Sequence, residues 1–452
     1  MPSGLNGRLS RRELIRAGAL AAVLPGCVFR GGSIPPPMRA DAPRTTPWPE
    51  ANRILATTLP PVFPAREFAV QTFGARGDGI VDDTRAFGRA IAACADAGGG
   101  HVLVPAGTWC VGSLRLRSNV DLHLDRAATL SFSGDPSLYR EVFTRYEGIE
   151  CVNRAPPIYA YGETNVALTG EGTLDASKTS SWNRGSDREG VLEPLVALPP
   201  EQRRVTGRLR TSFVQFYRCA NVLIQGVTLR GAQFWQLHPV LCEGVVIDGV
   251  TTRVSGPNTD GCDPESCRRV VIRSCTFASG DDNIALKSGR DQDGRRLAAA
   301  CEDVVILHCQ AEGRYGFLCL GSELSGGIRN VFAYDNWTFG RGVGEALWIK
   351  SNSRRGGFVD GIHLDGFRGA GFRNAVVVAT ANYDGQKGAF PPRFGSLELS
   401  HFEVSNAPRL FDLDGAQIGL LIVRSSTFNA ISNEREPRGV QLQDVSINGK
   451  PR

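Results

Sequence analysis

Cys219-Ala220-Asn221-Val222-Leu223-Ile224, Cys242-Glu243-Gly244-Val245-Val246-Ile247, Cys267-Arg268-Arg269-Val270-Val271-Ile272 and Cys301-Glu302-Asp303-Val304-Val305-Ile306 are four copies of one short pattern. It continues more loosely at Ile328-Arg329-Asn330-Val331 and Val359-Asp360-Gly361-Ile362, with earlier echoes at Asn119-Val120-Asp121-Leu122 and Asn165-Val166-Ala167-Leu168. From Cys219 onward, successive copies start 23, 25, 34, 27 and 31 residues apart. Each unit holds short β-branched runs separated by Gly, Asn or Asp turns, which is strand rather than helix chemistry. A unit of this size cannot bury an apolar face alone and must stack on its neighbours. The expectation is an all-β fold, a single-stranded right-handed parallel β-helix with one coil per repeat. Cys219, Cys242, Cys267 and Cys301, followed by Ile328 and Val359, then form a buried column of small apolar side chains. No paired CxxC spacing suggests zinc among the twelve cysteines.

The open end of a solenoid exposes sheet edges and needs a cover. Thr84 to Ala97 has helical character, follows Asp82-Asp83 as N-cap candidates and ends at Gly98-Gly99-Gly100. It is the expected N-terminal capping helix, with coils following from His101.

The net charge is +5, and Arg8, Arg11, Arg12 and Arg16 against Glu13 account for +3 of it. The remainder is too weak a field for a nucleic-acid partner. Ser10-Arg11-Arg12-Glu13-Leu14-Ile15-Arg16, followed by an apolar stretch, resembles a bacterial twin-arginine export signal, so residues 1–26 are set apart from the fold. Leu24-Pro25-Gly26-Cys27 resembles a lipobox, which would lipidate Cys27 and provide the only membrane contact. The expected location is periplasm, outer membrane or outside the cell. Residues 27–66 are Pro-rich and read as a tether or strap without regular structure, and residues 67–452 as one β-helix domain, expected to be a monomer.

A second polar column, Ser266, Ser288, Ser322 and Ser351, fixes the phase of four coils. Six residues before each stand Asp260, Asp282, Gly316 and Glu345; seven before stand Thr259, Asp281, Tyr315 and Gly344. Asp260 and Asp282 therefore share a phase on adjacent coils about 4.8 Å apart, with Asp281 beside them. Three crowded carboxylates are costly and imply either a metal or acid–base work. Strand alternation turns Ile284, Leu286, Leu347 and Ile349 inward. Asp263, Glu265, Lys287, Trp348 and Lys350 then stand on the outer face. Two of only five lysines fall there. Trp235 shares the phase of Asp260 one coil earlier and, with His238, is a candidate substrate platform.

At these residues the chain resembles glycoside hydrolase family 28, the polygalacturonases and relatives. The likeness runs from about Phe68 to Asp365. It includes Phe73-Gly74-Ala75-Arg76-Gly77-Asp78-Gly79, Phe234-Trp235-Gln236-Leu237-His238-Pro239, Asn258-Thr259-Asp260-Gly261, Gly280-Asp281-Asp282-Asn283 with its continuation to Gly289, and Gly321-Ser322-Glu323-Leu324-Ser325-Gly326-Gly327. The resemblance implies inverting hydrolysis of glycosidic bonds in a pectic poly- or oligosaccharide, with no cofactor and no metal. It makes Asp281 the general acid and Asp260 with Asp282 the pair that activates water, in an environment that raises the acid's pKa. Asn258, Lys287, Lys350, Trp348, Tyr315, Trp235 and His238 are the expected substrate-binding set. Two positions depart from the family pattern: Tyr315 stands for its His and Trp348 for its Arg. A modified, branched or rhamnogalacturonan-type substrate, and either endo or exo action, follow as open possibilities. Two alternatives remain: a catalytically impaired glycan-binding β-helix, and a pectate-lyase-like enzyme that uses carboxylates for Ca²⁺.

Overall fold

The computed structural model describes residues 45–181, 188–433 and 439–452. The export signal and Cys27 lie outside the described residues.

The repeat becomes a parallel solenoid. Val222, Val245, Val270, Val304, Val331, Ile362 and Leu397 pair in register from coil to coil and sit in one continuous core. The cysteine column runs as expected: the N–H groups of Cys219 and Cys242 each lie 3.4 Å from the next thiol, and Cys301 pairs with Ile328, Val359 and Phe394 in turn. All eleven described cysteines are free, and ten are buried.

The position before Val222, and before its equivalent in every copy, has its own cause. Asn119, Asn165, Asn221, Gly244, Arg269, Asp303, Asn330 and Gly361 all have φ between 53° and 72°. Left-handed backbone favours Gly, Asn and Asp. The asparagines add a ladder: the Asn165 amide donates to Asn119 at 2.9 Å, and Asn221 to Asn165 at 3.1 Å.

The face opposite this corner is built in two parts. Four strands (Leu114–Arg115, Ile158–Tyr161, Val214–Tyr217, Leu237–Val240) and five more (Ile284–Leu286, Leu318–Gly321, Leu347–Lys350, Val377–Thr380, Phe411–Asp412) are joined by bridges at Cys262 and Glu265. The coil between them, which carries Asp260, has little regular strand.

Three local expectations change. Residues 49–57 form a helix, α1 (Pro49–Thr57), where irregular chain was expected. Its cause is an outward column that is apolar: Val271, Val305 and Phe332 cluster with Leu307, Ala51 and Ile54. Farther along, Phe63 packs on Ala167, Leu223 and Val246 of the same column. The strap thus covers outer surface that water would otherwise wet. Burying a large apolar side chain is worth roughly 1.5–3 kcal/mol.

The capping helix, α2 (Thr84–Asp96), is present, but Asp83 does not cap it. Asp83 accepts from the N–H groups of Arg76 and Gly77, and Asp82 takes the N–H of Thr84. The first coil also starts before α2, because Glu67–Ala69 already pairs with His101–Leu103.

Candidate active site

The phase read from the serine column is the phase of the structure. Leu237 and Cys262, then Cys262 and Ile284, Ile284 and Leu318, and Leu318 and Leu347 are paired neighbours. Stepping back two residues along each strand aligns Trp235, Asp260, Asp282, Gly316 and Glu345. Asp260, Asp281 and Asp282 offer carboxylate oxygens that all lie within 4.8 Å of one another. Asp281 is anchored by backbone: it accepts from the N–H of Asn258 at 3.0 Å and of Asp282 at 3.2 Å.

Two buried lysines divide the trio. The Lys350 ammonium donates to Asp282, and Lys287 stands 3.7 Å from Asp260, 3.6 Å from Asp263 and 3.2 Å from Glu323. Burial pushes Asp282 up, but Lys350 and Lys287 outweigh it and hold the carboxyl below its ordinary range. Asp260 goes the other way. Burial, then the charge of Asp281, raise it to about 8 against the relief from Lys287. Asp263 is raised too, by burial and by Asp260. Crowding was expected to raise the acid, Asp281; of Asp260 and Asp282, the carboxyl that the surroundings drive toward the protonated form is Asp260.

Ile284, Leu286, Leu347 and Ile349 point into the core as expected, and Lys287 and Lys350 leave it on the other side. That outer side is not open surface, however. Lys287 is 3% exposed, Lys350 4%, and Asp263 and Glu265 0%. A hairpin that the repeat pattern does not announce, Glu141–Tyr146 with Ile149–Arg154, lies over it. Thr144 bonds Gln215 at 2.5 Å, Arg145 pairs with Glu265 at 3.0 Å, and the Gly148 carbonyl accepts from the N–H of Arg290 at 3.1 Å. Arg203 clamps Asp293 behind it at 2.8 Å.

This hairpin also decides the two platform candidates. His238 is fully buried between Glu265 at 3.0 Å, Ser212 at 2.9 Å and Gln215 at 3.1 Å. It is held inside the fold, away from solvent. Trp235 is 2% exposed, stacked on Phe234 with the Lys287 ammonium 4.2 Å over its ring. It packs beneath the site and is no platform. Asn258 is half-buried and receives Arg210 at 3.0 Å.

On the far side of the carboxylates, Tyr315 stacks on Trp348 with centroids 6.4 Å apart, and Tyr383 meets Trp348 edge-on at 6.2 Å. Lys350 lies 4.1 Å over the Trp348 ring. Sequence reasoning placed Glu323 on a loop beside the site and passed over Tyr383 and Glu345 as site residues. Glu345 was already in the aligned column, so its phase was the available signal.

The fold and site define a parallel β-helix with a buried carboxylate trio on its outer sheet face. The profile of Glycosyl hydrolases family 28 matches residues 94–406, and the chain belongs to that family. It is 31% identical over 314 residues to a protein named "Probable polygalacturonase" from Vitis vinifera, covering 67% of this chain and 60% of that one. It is 25% identical to the "Exo-poly-alpha-D-galacturonosidase" of Dickeya chrysanthemi, covering 79% and 65%. The chain thus spans less than two thirds of the length of these two relatives. Among solved structures, a hyperthermoactive exopolygalacturonase from Thermotoga maritima superposes with a TM-score of 0.83 at 34% identity, covering 89% of this chain and 96% of that one.

Proposed function

We propose that this protein hydrolyses glycosidic bonds of a pectic poly- or oligosaccharide with inversion. The single observation that carries the hydrolase reading is the geometry of the trio: Asp260 and Asp282 in one phase on adjacent coils, with Asp281 beside them and an oxygen of each within 4.8 Å of the others. In this reading Asp281 protonates the leaving oxygen, while Asp260 and Asp282 hold and activate the water. Asp282 is suited to the base role because Lys350 keeps it ionised. The positive charge in the scheme comes from Lys287 beside Asp260 and Lys350 beside Asp282.

One observation favours a second stereochemistry. Acid and base are usually roughly 6.5–9.5 Å apart when a water must fit between them, and closer pairs work through a covalent glycosyl intermediate. One oxygen of each carboxylate lies within 4.8 Å of the others, so retention is the competing outcome.

Exo action is the mode we infer. The hairpin at 141–154 covers the face on the N-terminal side of the carboxylates and leaves the aromatic side half-exposed, and two of the relatives above carry exo-acting names. Twin-arginine export, lipidation at Cys27 and action as a monomer complete the proposal.

The test is incubation of the mature protein with pectic polymers and oligomers, with products identified by mass. Hydrolysis adds one water per bond, and Asp281→Asn should lower kcat by roughly 10²–10⁴. Full activity in that variant, or an unsaturated product absorbing in the near ultraviolet, would overturn the assignment.

A further inference from the structure

A cavity of about 720 Å³ lies at the N-terminal end of the sheet face that carries the trio. Arg115 and Tyr159 of the first two strands line it, with α2 on one side and the root of the 141–154 hairpin on the other. The register measures how far it stands from the carboxylates. Arg115, Tyr159, Gln215 and His238 are consecutive partners, and Asp263 follows His238 through the bridge at Cys262. Coils about 4.8 Å apart then put roughly 19 Å between Arg115 and Asp263. The column closes on the way. Arg115 is exposed, Tyr159 is 3% exposed, and Gln215 and His238 beneath the hairpin are 0% exposed. The Tyr159 hydroxyl donates to the Phe143 carbonyl and pins the hairpin across the face. The cavity is therefore a compartment of its own, cut off from the trio by the hairpin.

The wall on α2 follows helical spacing: Thr84, Gly88 and Ile91 stand at i, i+4 and i+7 and share one side. A Cβ added at Gly88 would meet nothing within 4 Å, so this wall faces open space. Ile91, Leu138 and Val142 make part of the lining apolar.

Charge selects the occupant. Arg85, Arg115 and Arg140 are exposed around the cavity and have no ion pair or side-chain hydrogen bond among the described residues. The two acids that line it are already engaged. Glu141 pairs with Arg204, and Glu163 accepts from the N–H and the hydroxyl of Ser118 at 2.8 and 2.6 Å. Arg117 holds Asp96 at 2.8 Å. Three guanidiniums thus border one cavity with no protein anion to answer them, which favours an anionic ligand there. Each is a planar fork that takes a carboxylate through two hydrogen bonds. Several separate arginines beside an apolar lining suit a chain with repeated carboxylates and sugar rings better than one small anion.

We propose that this cavity is a second glycan-binding site, which holds a de-esterified uronate stretch of a pectic polymer through Arg85, Arg115 and Arg140. It keeps the polymer on the enzyme and raises the effective concentration of chain ends at the trio. The choice of a uronate chain rests on the pectic-hydrolase reading; the site itself rests on the cavity and its open arginines.

The experiment uses the full chain and two variants that leave the trio untouched. One combines Arg85→Gln, Arg115→Gln and Arg140→Gln. The other is Gly88→Trp, which fills the cavity from a helix position that has room for it. On long de-esterified polygalacturonate, KM should rise about tenfold in both with kcat unchanged. On a galacturonate trimer both constants should match wild type. Calorimetry of Asp281→Asn with a longer galacturonate oligomer should show two sites, one of which disappears when either set of cavity changes is added. An unchanged polymer KM with a single calorimetric site, or an equal loss on trimer and polymer, would overturn the inference. So would binding of anionic phospholipid vesicles through the same arginines with no uronate site. If wild type turns over no substrate, the hydrolase reading falls, and the presence or absence of the second calorimetric site still decides the inference.

Discussion

Replacing Asp260 by Asn should cost activity and increase stability, with a pH dependence that identifies the cause. Asp260 is 3% exposed, and burial with the charge of Asp281 raises its carboxyl from 3.8 to about 8. The folded protein therefore keeps a proton there that the unfolded chain releases. Where the native state binds more protons, stability falls as pH rises. For this group the fall begins near the unfolded value and is complete near the folded one; below pH ~4 both states are protonated and nothing is lost. At roughly 1.36 kcal/mol per unit, the interval up to pH 7.5 sets a ceiling of about 5 kcal/mol. Asp263 and Lys287 share the field and readjust, so about 2–3 kcal/mol is the expected gain for Asp260→Asn at pH 7.5. Guanidinium unfolding followed by tryptophan fluorescence, at pH 4 and at pH 7.5, measures it. The variant should be more stable only at the higher pH and inactive at both. Lower stability at pH 7.5, or an equal gain at both values, would refute the reasoning.

Lys350→Met leaves Asp282 buried without its ammonium. Stability should fall by about 3–5 kcal/mol in denaturant titrations. Asp282 is held low mainly by Lys350, so its stabilising charge is present above the ordinary carboxylate range and lost as pH falls through its depressed value. In the variant that loss, and the acid limb of the pH–rate profile, should move to higher pH. Ile54→Ala removes a fully buried contact of α1 with Val305 and Phe332. It should weaken the docking of the strap by about 2 kcal/mol, seen as faster tryptic cleavage at Arg53 with kcat unchanged.

The solenoid was legible because its stabilising contacts repeat. Cys219, Cys242, Cys267 and Cys301 mark the same place on every coil, and one correct column fixes all others by counting. The same count put Asp260 and Asp282 side by side. What it could not supply is whatever leaves the coil. The 141–154 hairpin has no period, and its contacts with Gln215, Glu265 and Arg290 join residues 71, 120 and 142 positions or more apart. So outward-facing Lys287 read as exposed and Trp235 as a platform. The apolar outward column Leu223, Val246, Val271, Val305 and Phe332 did announce a cover, since solvent-facing positions of a sheet are usually polar. Read that way, α1 was foreseeable. Glu345 was aligned with the carboxylates by number alone; only its burial and its open oxygen make it part of the site.

The central claim is that the trio delivers a water to the sugar face opposite a proton donor. Proton NMR of the first products, recorded before mutarotation, tests it directly. Inversion predicts that the newly formed reducing end carries the anomer opposite to the linkage cleaved. A first product with the anomer of the linkage retained would contradict the account and assign one of the three aspartates as a nucleophile.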